Sequence, residues 1–135
     1  MIPLGRVLLV WLGLLAGPGC QQSGAHRRAQ ELASLGQAIQ RVREAGNETK
    51  QDPLRELRSL ACDHYCDLQK VCVDAYDAHL SALDVVTQAR AAAARDPEVA
   101  SRLLSEARAR LARAHEMTTA CAAREGEAGR AREGH

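Results

Sequence analysis

The chain has 135 residues with 18 basic and 17 acidic side chains, a formal net charge of +1. That is enough for one small domain, and it excludes the clustered basic excess of a nucleic-acid footprint. Aromatic residues make up 2% of the chain, with one Trp, two Tyr and no Phe. Aromatics supply much of the buried area of compact cores, so Ala- and Leu-rich helices meeting along thin seams are expected. A globule around a deep small-molecule pocket is not.

The first 20 residues read as an export signal. Arg6 precedes an apolar run from Val7 to Ala16, and Gly17, Pro18 and Gly19 lead into Cys20. The run is about 10 residues, too short to cross a bilayer of roughly 30 Å as a helix. A small residue followed by a cysteine at this place resembles the signal of bacterial lipoproteins. Gly19 matches that motif, whereas Gly17 and Pro18 stand where it has Leu and a small residue. The resemblance covers residues 1–20 and implies removal of residues 1–19 and acylation, palmitate included, of Cys20 as the first mature residue. With Gln21 rather than Asp in second place, it also implies transfer to the periplasmic face of the outer membrane. Ordinary cleavage nearby, for instance after Ala25, is the alternative and would leave a soluble periplasmic or secreted protein. From Cys20 onward Arg6 is lost, leaving 17 basic and 17 acidic residues.

Residues 20–27 read as a short polar tether. A first helix is expected over about 28–45, with Leu32, Leu35, Ile39 and Val42 at steps of three and four. Gly46 and Asn47 are suited to end it. This stripe is available to pack inside the chain or against a second copy. Asp52-Pro53 opens a second helix, Asp as cap and Pro at the first helical position, and Asp96-Pro97 opens a third in the same way. Residues 53–94 hold no Pro and no Gly, so one long helix or two broken near the cysteines are both open. The apolar stripe of helix two runs Leu54, Leu57, Ala61, Tyr65, Leu68, Cys72, Ala75, His79, Ala82, Val86, Ala89. That of helix three runs Leu104, Ala107, Leu111, Ala114, Thr118, Cys121. The short connection at Arg95 makes the two antiparallel neighbours. Residues 123–135, charged and Gly-rich, read as a disordered tail. The fold class is all-α: a long antiparallel helical hairpin with a shorter N-terminal helix, the helical domain spanning 28–122 and resembling a coiled coil in its spacing.

Four cysteines follow Cys20, and an even number in an exported chain points to two disulfides. Cys72 and Cys66 both lie opposite Cys121 in a hairpin turning near residue 95. Cys72 stands within about 40° of the Leu68 seam and Cys66 about 160° away, so Cys72–Cys121 is the expected staple. Cys62 and Cys66 remain, one helical turn apart, and a bridge between them needs a distorted turn. A helix break there also admits Cys62–Cys72 with Cys66–Cys121. The competing reading is a soft-metal or thiol-redox site at Cys62 and Cys66. The Cys-x-x-x-Cys spacing looks somewhat like the pairs of helical-bundle copper-storage proteins, which carry many such pairs where this chain has one. His64 points away from both in a regular helix. His79 on the stripe reads as a packed helix histidine. Asp63, Asp67, Asp74, Asp77 and Asp84 read as a solvated acidic face, helical and therefore unlike a calcium loop. Asn47-Glu48-Thr49 matches a glycosylation acceptor. No catalytic constellation is present. The sequence points to a non-enzymatic module without a cofactor, acting on a protein partner or a second copy.

Overall fold

The computed structural model describes the backbone of residues 19–134 and the side chains of residues 23–134. The segment expected to be an export signal, and the side chain of Cys20, expected to be the acyl acceptor, lie outside the described residues and side chains. Four helices are present among the described residues, with no strand: α1 Gly19–Glu44, α2 Gln51–Ser59, α3 Cys66–Ala93 and α4 Pro97–Glu133.

The helix boundaries depart from the sequence expectations at residues 20–27 and 123–133, and the choice left open for residues 53–94 falls to a break. Residues 20–27 belong to α1 rather than to a polar tether. They contain Gln, Ala and Arg and no Pro, so the helix nucleated by the downstream stripe propagates back through them at low cost. Residues 123–133 are helical rather than disordered. Ala128 packs against the core and Arg43 holds Glu125 at 2.8 Å, so tertiary contact extends α4 past Cys121 in spite of Gly126 and Gly129. The span 53–94 is two helices, because residues 60–65 leave the helix. Leu60, with φ −62° and ψ 133°, turns the chain into extended backbone.

The core lies where α1, α2 and the first half of α3 meet the far part of α4. Leu32, Leu35, Ile39 and Val42 are buried there with Leu54, Leu57, Leu68, Cys72, Tyr76 and Cys121. The helix-one stripe is thus covered within the chain itself. The most extensive interface is that of α3 with α4. It is built on a seven-residue repeat: Leu68, Ala75, Ala82 and Ala89 are buried on α3, and Ala100, Ala107, Ala114 and Cys121 on α4. A repeat of 3.5 residues per turn keeps one seam facing its partner. Alanine at almost every step lets the backbones approach, and Cys72 and Cys121 have Cα atoms 4.9 Å apart. Leu104, expected on the seam, is 42% exposed; the repeat places Leu103 nearer to it.

Side chains close two of the helix ends, the start of α4 and the end of α1. Asp96 caps α4, its Oδ1 accepting from the N–H groups of Glu98 and Val99 at 3.1 and 3.0 Å, with Pro97 following as the first helical residue. The Asp52-Pro53 pair behaves differently: α2 starts at Gln51 with no side-chain cap, and Asp52 bonds Arg55 instead. The C-terminus of α1 uses no left-handed glycine, since no described residue has a positive φ. Lys50 closes it. Its Nζ donates to the carbonyls of Val42 and Ala45 at 2.6 and 2.7 Å and lies 5.8 Å from the centroid of the Tyr76 ring. Burial holds this ammonium below the usual lysine pKa. Replacing Lys50 by Met keeps the stem and strands the two carbonyls, so a loss of about 2 kcal/mol is expected. Urea denaturation followed by circular dichroism checks it, and an unchanged midpoint refutes the capping role.

Candidate functional site: the cysteine pairs and the Glu31 cradle

The cysteines fall into two pairs of opposite character. Cys72 on α3 and Cys121 on α4 have sulfurs 2.00 Å apart, at disulfide distance. They are 0% and 1% exposed, so this pair is part of the core. Cys62 and Cys66 have sulfurs 2.09 Å apart and Cα atoms 5.3 Å apart. Cys62 is half-buried and Cys66 exposed. The alternative Cys62–Cys72 and Cys66–Cys121 pairing is not the one present. Bonded to each other, Cys62 and Cys66 offer no thiolate to an ion. Among the described residues no group of three or more His, Cys, Asp and Glu is placed to hold a metal.

The Cys62–Cys66 segment is the break between α2 and α3, and two side chains from elsewhere hold it. Gln69, buried on the second turn of α3, donates through Nε2 to the carbonyls of Leu57 and Leu60, both at 2.8 Å. Those are carbonyls that the end of α2 leaves without helical partners. From α1, Glu31 reaches the other side of the break. Its Oε1 accepts from the backbone N–H groups of Asp63, His64 and Tyr65 at 2.9, 3.0 and 3.0 Å. Its Oε2 lies 3.0 Å from His64 Nδ1. The carboxylate side chain is 14% exposed. Burial alone would raise its pKa. The bonds from Tyr65, His64 and Asp63, with that of the His64 side chain, outweigh burial and bring it down to about 2. Three successive N–H groups converging on one anion form a cradle of the kind that binds phosphates and carboxylates. Here it is filled from within the chain.

A second feature is a groove of about 630 Å³ between the end of α1, α3 and α4, lined by Arg43, Lys50, Tyr76, His79, His115 and Thr118 among others. His79 is half-buried on its wall, Nε2 3.3 Å from Asn47 Oδ1. Burial and, secondarily, the Lys50 charge hold its pKa below the usual imidazole value. Lys50 and Arg43 are engaged with the α1 carbonyls and with Glu125. In this groove the two cations thus serve packing and helix closure. Of the acidic residues on α3, Asp77 pairs with Arg58 of α2 at 2.6 Å and Asp74 with Lys70 at 2.5 Å. Asp63, Asp67 and Asp84 are exposed. Asn47 and Thr49 lie exposed in the turn between α1 and α2.

Glu31, Lys50 and Gln69, which no sequence motif marks, are the polar side chains that hold these backbone groups. Lys50 carried one usable signal: it and Lys70 are the only lysines in a chain whose other cations are arginine. A compact ammonium with three donors fits two converging carbonyls where a planar guanidinium does not. Comparison with known proteins finds no matching family model, no similar curated protein and no matching solved structure. Among the described residues no helix is long and apolar enough to cross a membrane.

Proposed function

We propose that this chain is an exported lipoprotein, acylated at Cys20 and held at the periplasmic face of the outer membrane. There it acts as a non-catalytic helical module for a protein partner. The observation that carries this reading is the Cys72–Cys121 pair, bonded and fully buried. A core that depends on such a bond belongs in an oxidising compartment, the destination that the Arg6 to Cys20 segment specifies.

In this reading α3 and α4 form a long antiparallel hairpin. Only residues 94–96 connect them. Moving away from that turn, Arg110 bonds Ser81 and then Cys121 meets Cys72, as strands of a hairpin running in opposite directions require. Residues 23–30 of α1 are exposed apart from partial cover at Gly24 and Ala29. The first core residue of α1 is Leu32. Between Cys20 and Leu32 the helix would stand as a stalk about 18 Å long at 1.5 Å per residue, a rigid spacer between the acyl chains and the core. Two or three acyl chains, at about 0.8 kcal/mol per buried CH₂, make release from the membrane negligible.

Mass spectrometry of the mature N-terminus after expression in a two-membrane bacterium tests the reading. A diacylglyceryl-modified Cys20 that fractionates with the outer membrane is expected. Cys20→Ala should move the protein out of the membrane fraction. A free amine at another residue, such as the one after Ala25, overturns the anchored reading in favour of a soluble secreted protein.

A further inference from the structure

We propose that Cys62–Cys66 is a thiol–disulfide exchange site, opened and closed by a dithiol partner while Cys72–Cys121 stays bonded. The two pairs differ in the one property that exchange requires, access for an attacking thiolate. Cys66 Sγ belongs to an exposed residue, whereas both sulfurs of the other pair are sealed in the core. Reaching Cys72 or Cys121 takes global opening; reaching Cys66 takes none.

Position supplies the chemistry. Cys66 is the first residue of α3, a helix of 28 residues. A thiolate there faces the positive end of the helix dipole, the setting that lowers a cysteine pKa, against the opposing carboxylates of Asp67 in the same turn and Glu31 across the loop. The imidazole of His64 is in the same loop, and Glu31 holds the backbone between the two cysteines through the N–H groups of residues 63–65. The reduced loop therefore keeps the geometry of the oxidised one. Gln69 keeps the end of α2 in place independently of the sulfurs. Opening the bond releases neither helix, so the change is reversible.

The step balances with a dithiol as the reductant. A partner thiolate attacks Cys66 Sγ, the Cys62–Cys66 bond breaks, and its electron pair leaves on Cys62 Sγ, which takes a proton from water. The second partner thiol loses its proton and attacks the partner's own sulfur in the mixed disulfide. Cys66 departs as a thiolate and the partner becomes a disulfide. Two electrons pass from the partner dithiol to this chain, and the reverse sequence returns them.

Two measurements on the full-length purified protein test the proposal. In the first, the oxidised protein is equilibrated in glutathione buffers of graded ratio, trapped with iodoacetamide and mapped by peptide mass. Cys62 and Cys66 should become alkylated together, at a rate at least about 100-fold above Cys72 and Cys121, with helical circular dichroism unchanged. Both pairs opening together, or Cys62–Cys66 opening only as helicity is lost, overturns the proposal. In the second, the pH dependence of Cys66 alkylation is followed in Cys62→Ser. A midpoint below that of a free cysteine, about 8.5, is expected. A midpoint at or above that value shows an exposed structural bond with no exchange chemistry, and overturns it as well.

Discussion

Replacing Cys72 and Cys121 together by alanine is expected to remove about 4 kcal/mol of stability and to lower the melting temperature by about 20 °C. The bond spans 49 residues of sequence. In the chain-entropy account, closing a loop of that length in the unfolded state accounts for most of the effect. Its location adds to it. Cys72 and Cys121 sit where the α3–α4 seam enters the core shared with α1 and α2. Farther along, the seam is held by Ala82, Ala89, Ala100 and Ala107, each burying little more than one methyl group. Against a typical total of 5–15 kcal/mol, that loss is between about a quarter and four-fifths of the stability. Thermal and urea denaturation by circular dichroism measure it. A loss under about 1 kcal/mol would show that the alanine seam holds α4 without the bond. Replacing Cys62 and Cys66 together is expected to cost about 1–2 kcal/mol, because that loop is short and Glu31 and Gln69 also fix its backbone.

Acid should destabilise the fold between pH 4.5 and 2 through Glu31. Its folded pKa is depressed from 4.5 to about 2. A carboxylate with a depressed folded pKa contributes stability that is present above the unfolded value and lost as pH falls through the folded one. The contribution is therefore complete at neutral pH, begins to fall near pH 4.5 and is gone below about pH 2. At 1.36 kcal/mol per pKa unit, the interval from 4.5 to about 2 corresponds to about 3 kcal/mol. Glu31→Gln keeps the size of the side chain and a carbonyl acceptor but removes the charge that three N–H groups share. The variant should lose roughly that amount at pH 7 and show a flatter stability profile across this window. Denaturant titrations at pH 7, 4 and 2.5 on both proteins check it, and parallel profiles for the two would refute the cradle. The exposed pairs Arg41–Glu56 and Arg55–Asp52 contribute little to such a profile, since solvent and salt screen them.

What could be read from the sequence was whatever depends on near neighbours. The Asp96-Pro97 cap was legible because its acceptor and donors are two and three residues apart. The α1 stripe of Leu32, Leu35, Ile39 and Val42 was legible because one helix face repeats every three to four residues. Helix class followed from Ala, Leu, Arg and Glu filling long spans without Pro. The same local view misjudged Asp52, which an upstream start of α2 turns into an ordinary first-turn acid. It also misjudged residues 123–133, whose charge and glycines favour disorder until Ala128 and Glu125 find α1 and the core.

The tertiary structure alone decided the polar contacts that close the helices. Glu31 meets residues 63–65 across more than 30 positions of sequence, Lys50 turns back onto α1, and Gln69 reaches the end of the preceding helix. None of these partners is near enough in sequence to leave a spacing pattern. Each becomes adjacent only after the helices pack. A carboxylate, an ammonium and an amide are then needed there because buried backbone groups left without partners are costly. Sequence by itself determined that the chain is helical and that one face of each helix is apolar. Packing determined where the long helix breaks, which cysteine stays exposed at the break, and which side chains hold it.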